Sequence, residues 1–266
     1  MNLIRTTTLI LTCGLSLFLT KAFLDAAEDE EFKVERFSSK NFQQEVTQHI
    51  FFREPQEPLG TIVGAYRPNQ RLSNTDTIYL KFTSQIVSVG DVFSIYENQG
   101  GVSSLDSSFK KIGQKIEIKG FVQITSVLPK AIVGKIFDAT SDIRVGDLIG
   151  PNTDLNHKIS PQEPAADIRG KVLANASDNS MVGPYEFVLL NRGSSDGLRA
   201  NDKLLVFRTA DGSAEVKEGL PEVIIAELIV INAESKFSTA YVLSANDPFE
   251  RGASFKSARS QVKFVD

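Results

Sequence analysis

Two copies of one pattern of short β-type segments follow each other along the chain, and this repeat constrains the fold more than any other feature. Each copy offers six candidate strands, separated by turns rich in Gly, Asn and Asp. The first copy holds Thr61–Tyr66, Thr77–Phe82, Val92–Tyr96, Lys115–Val127, Ala131–Phe137 and Asp147–Ile149. The second copy holds Ile168–Asn175, Tyr185–Asn191, Lys203–Phe207, Glu222–Ile231, Ser238–Ser244 and Ala253–Lys256. The pattern predicts a mainly β chain with two tandem small β-barrel-like repeats, at residues 60–150 and 168–257.

The two copies also align segment by segment. Gly60-Thr-Ile-Val-Gly-Ala matches Gly170-Lys-Val-Leu-Ala-Asn, and Val89-Gly-Asp-Val-Phe matches Ala200-Asn-Asp-Lys-Leu. Within each segment apolar and polar residues alternate, which gives every strand an inner and an outer side. We therefore expect two barrels of one type.

Two of the repeated turns have the same chemistry. Gly90-Asp91 comes directly before the candidate strand Val92–Tyr96, and Gly146-Asp147 leads into the candidate strand that begins at Asp147. Glycine permits a backbone angle that other residues avoid, and the aspartate side chain accepts hydrogen bonds from nearby backbone amides. We interpret Gly90, Asp91, Gly146 and Asp147 as structural turn residues.

Residues 1–27 are predicted to be a targeting segment. Arg5 supplies a positive start, Leu9 to Leu19 is mostly apolar, and the small residues Ala26 and Ala27 follow. The apolar run suits a signal-peptide core and is short for a membrane span. Export with cleavage near Ala27 is the main expectation, and an uncleaved N-terminal anchor in the inner membrane is the alternative.

Residues 28–59 are predicted to form an acidic segment followed by a short helix. Glu28-Asp29-Glu30-Glu31 opens the segment, and the helix is predicted over 38–52 because Phe42, Val46 and Ile50 recur at i, i+4 and i+8. Between the repeats, the prolines and asparagines of residues 151–167 indicate a linker. Residues 258–266 are predicted to form a tail.

The inventory of reactive side chains is small. The chain has one Cys, two His and no Trp, and its formal net charge is −4. This charge argues against nucleic acid as a partner. His49 and His157 lack neighbouring ligands at metal spacing, and neither a phosphate loop nor a nucleophile elbow is found. We expect no catalytic residue, no metal ion and no cofactor, and hence a protein that is not an enzyme.

The second repeat contains a distinctive run, Asn191-Arg192-Gly193-Ser194-Ser195-Asp196-Gly197-Leu198. It follows Phe187-Val-Leu-Leu and precedes Lys203-Leu-Leu-Val-Phe. This order resembles the C-terminal, non-LysM region of the peptidoglycan-binding proteins that associate with type IV pilus secretins. That region is in turn similar to the C-terminal domain of flagellar assembly protein T. The likeness covers about residues 40–257.

The resemblance implies a non-enzymatic periplasmic, envelope-associated scaffold. Its partner would be an outer-membrane ring complex. A type IV pilus secretin is the favoured partner, and a flagellar basal-body ring is the second choice. Copies of the chain could themselves assemble into a ring. The alternative is an envelope protein that binds cell-wall glycan, although no LysM module precedes the first repeat. Two roles stay open for the run itself, a structural turn and a contact surface for a partner. Its family-like residues are Asn191, Arg192, Gly193, Ser194, Asp196, Gly197 and Leu198.

Overall fold

The computed structural model describes residues 43–67, 71–84, 86–103, 105, 111–177, 179–209 and 221–258. The predicted signal segment, the acidic residues 28–37 and nearly all of the tail lie outside these ranges. The strands are β1 (Gln44–Thr47), β2 (Ile50–Arg53), β3 (Gly60–Ala65), β4 (Thr77–Phe82), β5 (Val92–Ser103), β6 (Lys111–Leu128), β7 (Ala131–Phe137), β8 (Leu148–Gly150), β9 (Asn156–Ile159), β10 (Arg169–Asn175), β11 (Met181–Val182), β12 (Phe187–Leu190), β13 (Lys203–Thr209), β14 (Glu222–Ala233), β15 (Ser238–Ala245), β16 (Phe249–Glu250) and β17 (Ser254–Ser257). No helix within the described ranges has the length and apolar character needed to cross a membrane.

Both repeats form closed rings of antiparallel strands. In the second repeat the order is β10-β12-β15-β14-β13-β17, and β17 pairs back to β10. In the first repeat the order β6-β5-β8-β3-β4-β7 is closed by pairing of β6 with β7, and β2 is added outside along β6. Strand for strand, the two rings have the same connectivity. The predicted mainly β fold with two tandem barrels is confirmed.

A tight turn recurs three times in each barrel and joins neighbouring strands. The third residue of the turn has a positive φ, and its amide donates to the carbonyl of a buried residue on a neighbouring strand. The amide of that strand residue donates in return to the carbonyl of the fourth turn residue. The positive-φ residues and their strand partners are Thr75 with Ile136, Gly90 with Ile124, Gly146 with Ile62, Tyr185 with Val242, Asn201 with Val230, and Gly252 with Val172. The six partners are all buried inside the barrels. Each turn thus continues the sheet where the strand ends.

The barrel interiors are apolar, and parts of their outer faces are buried as well. On β14, Leu228 and Val230 point into the second barrel, while Ile229 between them packs outside against Val46 of β1 and Ile159 of β9. The outer face of the second barrel is therefore covered by the two-stranded sheet of β1 and β9, which pair antiparallel. Alternation along a strand accounts for both clusters.

The predicted helix over 38–52 is wrong in its described part. Residues Gln44–Thr47 and Ile50–Arg53 are strands β1 and β2, whereas residues 38–42 lie outside the described ranges. The segment is rich in Val, Thr, Ile and Phe, which favour strands. Pairing with β9 and β6 also satisfies the backbone, so tertiary context overrides the helical spacing of Val46 and Ile50.

The predicted linker also contains structure. Asn156–Ile159 is strand β9, and Gln162 forms a β-bridge with Asp202 of the second barrel. Ile159 is completely buried. The linker is therefore bonded to the second barrel, because its backbone pairs with β1 and its apolar residue fills the outer cluster.

A long hairpin formed by β5 and β6 connects the barrels. Its far part extends past the first barrel, where Val102 and Ile112 pack with Phe52 of β2 against Leu173 and other residues of the second barrel. Gly113 lies so close to the Phe237 ring that a Cβ there would be 3.2 Å from it. Residues Ser39–Asp266 form one compact unit, in agreement with this shared cluster.

Removal of a large side chain from the shared cluster should destabilise the whole unit. Phe52 is 2% exposed, so Phe52→Ala should lower the free energy of unfolding by about 3–5 kcal/mol, through lost burial and the cavity left behind. The control is Tyr66, which is 72% exposed. Tyr66→Ala should change the free energy of unfolding by less than about 0.5 kcal/mol. Denaturant titration measures both. An unchanged midpoint in Phe52→Ala would contradict the coupling.

Candidate functional site

The family-like run Asn191–Leu198 forms the connection between β12 and β13. Its centre is a 3-10 turn, Ser194–Asp196, which ends at Gly197 with φ +97°. The Asp196 carboxylate accepts a 2.9 Å hydrogen bond from the Gly193 amide, which closes the turn. Leu198 is buried in the second barrel and anchors the end of the run.

The run is fastened to the loop between β14 and β15. The amides of Ser194 and Ser195 donate to the carbonyls of Glu234 and Ser235, at 2.8 and 3.1 Å. Gly193 allows this approach, because a Cβ there would lie 2.6 Å from the Ser235 carbonyl oxygen.

The first two residues of the run bond to β10. The Asn191 side chain accepts from the Lys171 amide at 2.7 Å, and the Arg192 guanidinium donates to the Arg169 carbonyl at 3.0 Å. The Asn191 and Arg192 side chains are therefore bonded within the molecule.

The turn residues Gly90, Asp91, Gly146 and Asp147 lie in two of the recurring turns. Gly90 has φ +96° and Gly146 has φ +100°. The Asp91 carboxylate accepts from the Ser88 amide at 2.8 Å, and that of Asp147 from the Arg144 amide at 2.9 Å. Each aspartate thus closes its own turn at the start of β5 or β8.

Asp147 has a second role in a charged cluster on the first barrel. The Lys119 ammonium, buried in the barrel wall, lies 2.7 Å from Glu97 and 3.2 Å from Asp147. Burial acts to lower the pKa of Lys119, but hydrogen bonds and attraction from the two carboxylates raise it overall. Burial raises the pKa of Asp147, and the hydrogen bond from Lys119 lowers the pKa of Glu97. All three groups are used in holding β5, β6 and the β8 turn together.

The two histidines lie near the start of the described chain and in the linker strand. The Phe51 ring packs edge-on against the His157 ring with their centroids 6.2 Å apart, and burial lowers the pKa of His157. The His49 Nδ1 and His157 Nε2 atoms are buried without hydrogen-bond partners. In the described ranges, no three His, Cys, Asp or Glu side chains come together as metal ligands.

A cleft of about 450 Å³ separates the long hairpin from the second barrel. One wall is the β5 segment from Gln99 to Ser103, with Phe52 and Lys115 beside it. The other wall is formed by residues 173–175 of β10, by residues 179, 180 and 182 around β11, and by Arg251. The volume falls in the range of known ligand sites, which also favour boundaries between domains.

Two basic residues line the cleft. Lys115 and Arg251 line it, and no acidic residue is among the described residues that do. Lys115 is 6% exposed, so its charge acts in surroundings poor in water, where electrostatic attraction is stronger. Arg251 is held across the cleft by a 3.2 Å hydrogen bond to the Ser103 carbonyl.

Sequence reasoning missed this cleft. Its cations belong to different repeats and are 136 positions apart by their numbers, 251 − 115. Only the pairing of the extended hairpin with the second barrel brings them together. The Gly100-Gly101 pair, which lies within β5, is a local signal that could have pointed to it.

A second charged cluster lies on strands of the second barrel. The Glu222 carboxylate accepts hydrogen bonds from Arg169 and Lys256, both at 2.7 Å. Both cations also lie over the Phe207 ring, 5.4 Å from its centroid. These hydrogen bonds, that from Arg169 above all, hold the pKa of Glu222 below its usual value.

Gly193→Ala should destabilise the second barrel. The new methyl group would press against the Ser235 carbonyl and the Phe237 amide, 2.6 and 2.7 Å away, and we expect a loss of about 1–3 kcal/mol. The control is Gly183→Ala, because a Cβ at Gly183 meets nothing within 4 Å. Thermal unfolding of both variants measures the difference. Equal melting temperatures would show that the run does not require glycine.

Glu222 should contribute stability that depends on pH. Because its folded pKa is lowered, the contribution is present above the ordinary glutamate pKa of about 4.3 and is lost as pH falls through the folded value. Glu222→Gln should therefore be less stable than wild type at pH 7, and this difference should shrink towards pH 3. Denaturant titrations across this window measure it, with Glu163→Gln, an exposed position, as control. A difference that stays constant with pH would contradict the assignment.

Comparison with known proteins finds neither a family model nor a curated protein that matches the chain. The family resemblance of Asn191–Leu198 therefore stays a prediction.

Proposed function

We propose that the protein is a non-enzymatic scaffold of the periplasm that associates with an outer-membrane ring complex, a type IV pilus secretin first and a flagellar basal-body ring next. The observation that carries the proposal is the joining of two barrels through the cluster of Phe52, Val102, Ile112, Leu173 and Phe237. A scaffold must hold its partners at a fixed distance from each other without bending. Two barrels that share a packed core do so, because close-packed interiors resist compression.

An apolar surface at one end of the first barrel supports an attachment role. We call it the apolar end; it comprises Ile86, Val89, Val127 and Leu128, which are 92, 66, 46 and 52% exposed. The turn that carries Val89 is bonded to β6 through Gly90 and Ile124, and β6 ends at Leu128. Clustered apolar side chains at a surface are typical of protein contacts.

The mechanism would be mechanical. The apolar end would pack on the ring, and the second barrel would be held at a fixed distance by the long hairpin. No covalent chemistry is required of any residue. The ion pairs of Lys119 with Glu97 and Asp147 would contribute by keeping the hairpin aligned with the first barrel.

Glycan binding is the second candidate, and a groove on the outer side of the first barrel favours it. The rings of Phe121 and Phe137 stack at 5.7 Å there. Asp138, Asn152 and Asp154 lie along the same groove. Aromatic faces bordered by carboxylate and amide groups are chemically suited to sugars, which present apolar faces edged by hydroxyl groups.

Affinity capture of the tagged full-length protein from gently solubilised envelopes tests the scaffold proposal. Wild type should bring down a ring protein at a fixed ratio. The double variant Val89→Lys/Leu128→Lys should recover at least about tenfold less, because two charges would be buried in an apolar contact. The control is Val223→Lys, an apolar residue on the second barrel that is 40% exposed.

Two outcomes would contradict the scaffold proposal. One is recovery of the wild type without any ring protein. The other is sedimentation of the protein with purified cell-wall sacculi and with nothing else, which would favour the glycan alternative.

A further inference from the structure

We propose that the two-stranded cover formed by β1 and β9 is pH-sensitive: it is closed on the second barrel while His157 is neutral, and it opens when His157 takes up a proton. The inference goes beyond the proposed scaffold function and does not depend on it. It is carried by the position of His157 between the barrels, by the burial of its Nε2 atom, and by the limited attachment of the cover.

His157 lies where the cover meets both barrels. In the β1–β9 register it stands opposite Val46, and opposed residues of antiparallel strands share a face of the sheet. Val46 packs on Ile229 and Tyr241 of the second barrel. The His157 ring is also in edge contact with Phe51, which belongs to the outer cluster of the first barrel. The imidazole therefore lies at the seam that the cover closes.

The Nε2 atom of His157 is buried and has no hydrogen-bond partner. In the neutral imidazole the cost of this burial is that of one unpaired polar atom. An imidazolium has a proton on both ring nitrogens, so it would place a charged N–H group at the same buried point without an acceptor. In water the imidazolium has no such cost. Protonation therefore favours a state in which the ring reaches solvent.

The charges nearest to His157 do not offset this cost. Asp154 acts to raise the pKa of His157, but burial outweighs it and holds the pKa below its usual value. On β2, the Arg53 guanidinium lies over the Phe51 ring, 5.0 Å from its centroid, and adds a like charge. His49, between β1 and β2, has a buried Nδ1 atom that is itself without a hydrogen-bond partner.

The other charged side chains on the elements packed here are directed elsewhere. Glu45 and Lys158 stand opposite each other in the β1–β9 register, and because they alternate with His157 they lie on the exposed side of the cover. On the second barrel, Glu227 is paired with Lys203 at 2.9 Å. Burial raises the pKa of Tyr241, so this residue stays neutral near pH 7.

The cover can open without unfolding either barrel. Strands β1 and β9 have four residues each, and among the described strands they pair only with each other. Both barrel rings are complete without them. Ser160 and Gln162 would keep the linker bonded to Asn201 and Asp202 of the second barrel. Segments with so few backbone bonds to the rest of a protein open at low free energy.

The direction of the pH dependence follows from the lowered pKa. Because His157 has its ordinary pKa of about 6.5 once the cover is open, the closed state binds fewer protons than the open state. The stability of the closed cover is therefore complete above the ordinary value and is lost as pH falls from there towards the folded value.

Hydrogen exchange of the full chain, followed by NMR between about pH 7.5 and pH 5, tests the inference. The Gln48 amide, which donates to the Leu155 carbonyl at 2.8 Å, reports on the cover. Its protection factor should be constant above about pH 7 and should fall by up to about tenfold per pH unit below about 6.5, as uptake of one proton requires. The Val230 amide, bonded to the Asp202 carbonyl in the second barrel, should keep its protection.

Two variants and a control locate the effect. His157→Phe keeps a ring against Phe51 but cannot be protonated, so the Gln48 protection factor should become independent of pH in this range. His157→Gln, also neutral, serves if the first variant does not fold. The matched control is His49→Gln, which should behave as wild type. The His49 carbonyl accepts from the Ile118 amide of β6 at 2.8 Å, so this residue belongs to the attachment of β2 and not to the cover.

A further variant, Asp154→Asn, tests the electrostatic contribution. Asparagine keeps the oxygen that accepts from the Asn156 amide at 2.9 Å, but it removes the charge that favours protonation of His157. The folded pKa should therefore fall further, and the loss of Gln48 protection should continue to lower pH than in wild type.

Four results would overturn the inference. They are a Gln48 protection factor that does not change with pH, a pH dependence that persists in both His157 variants or is lost in His49→Gln, and an equal fall at Val230, which would mean that the whole barrel opens. The fourth is a His157 side chain that titrates at or above about 6.5 in imidazole NMR spectra. Capture of a ring protein from envelopes tests the scaffold role separately, so either proposal can fail without the other.

Discussion

The exchange of backbone hydrogen bonds between a tight turn and a neighbouring strand is the interaction on which both barrels depend. Short strands such as β8 and β12 have few ladder bonds of their own. The turns before them continue the ladder, and the residues that they bond, such as Ile62 and Val242, fill the barrel interior. Closure of the ring and packing of the core are therefore achieved by the same residues.

The joining of the barrels depends in turn on strand β6. Its second half belongs to the wall of the first barrel, and its first half carries Ile112 and Gly113 to the second barrel. The proposed scaffold role derives from this one strand, because its first half couples the barrels. A change in the first half of β6 would therefore alter how the two barrels are joined.

The sequence predicted the barrels well, since alternation and turn residues are local signals; Thr77–Phe82 and Ala131–Phe137 coincide with β4 and β7. The prediction failed where a segment pairs with a strand that is distant in sequence. Val46 and Ile50 show helical spacing, but strands β9 and β6 were available to them. Asn156–Ile159 shows no clear alternation, so the sequence predicts a linker there although the segment is strand β9. The cleft could not be predicted, because Lys115 and Arg251 meet only through tertiary packing.

The cover formed by β1 and β9 has a consequence for the order in which the chain folds. Val46 is near the start of the described chain, but it packs on Ile229 and Tyr241, which are synthesised near its end. A chain that emerges from its N-terminus can pair β1 with β9 once Ile159 is made, but the apolar side of this two-stranded sheet stays uncovered until Ile229 and Tyr241 follow. Contacts so distant in sequence form slowly, and during that interval the apolar side of β1 is open to other chains or to a chaperone.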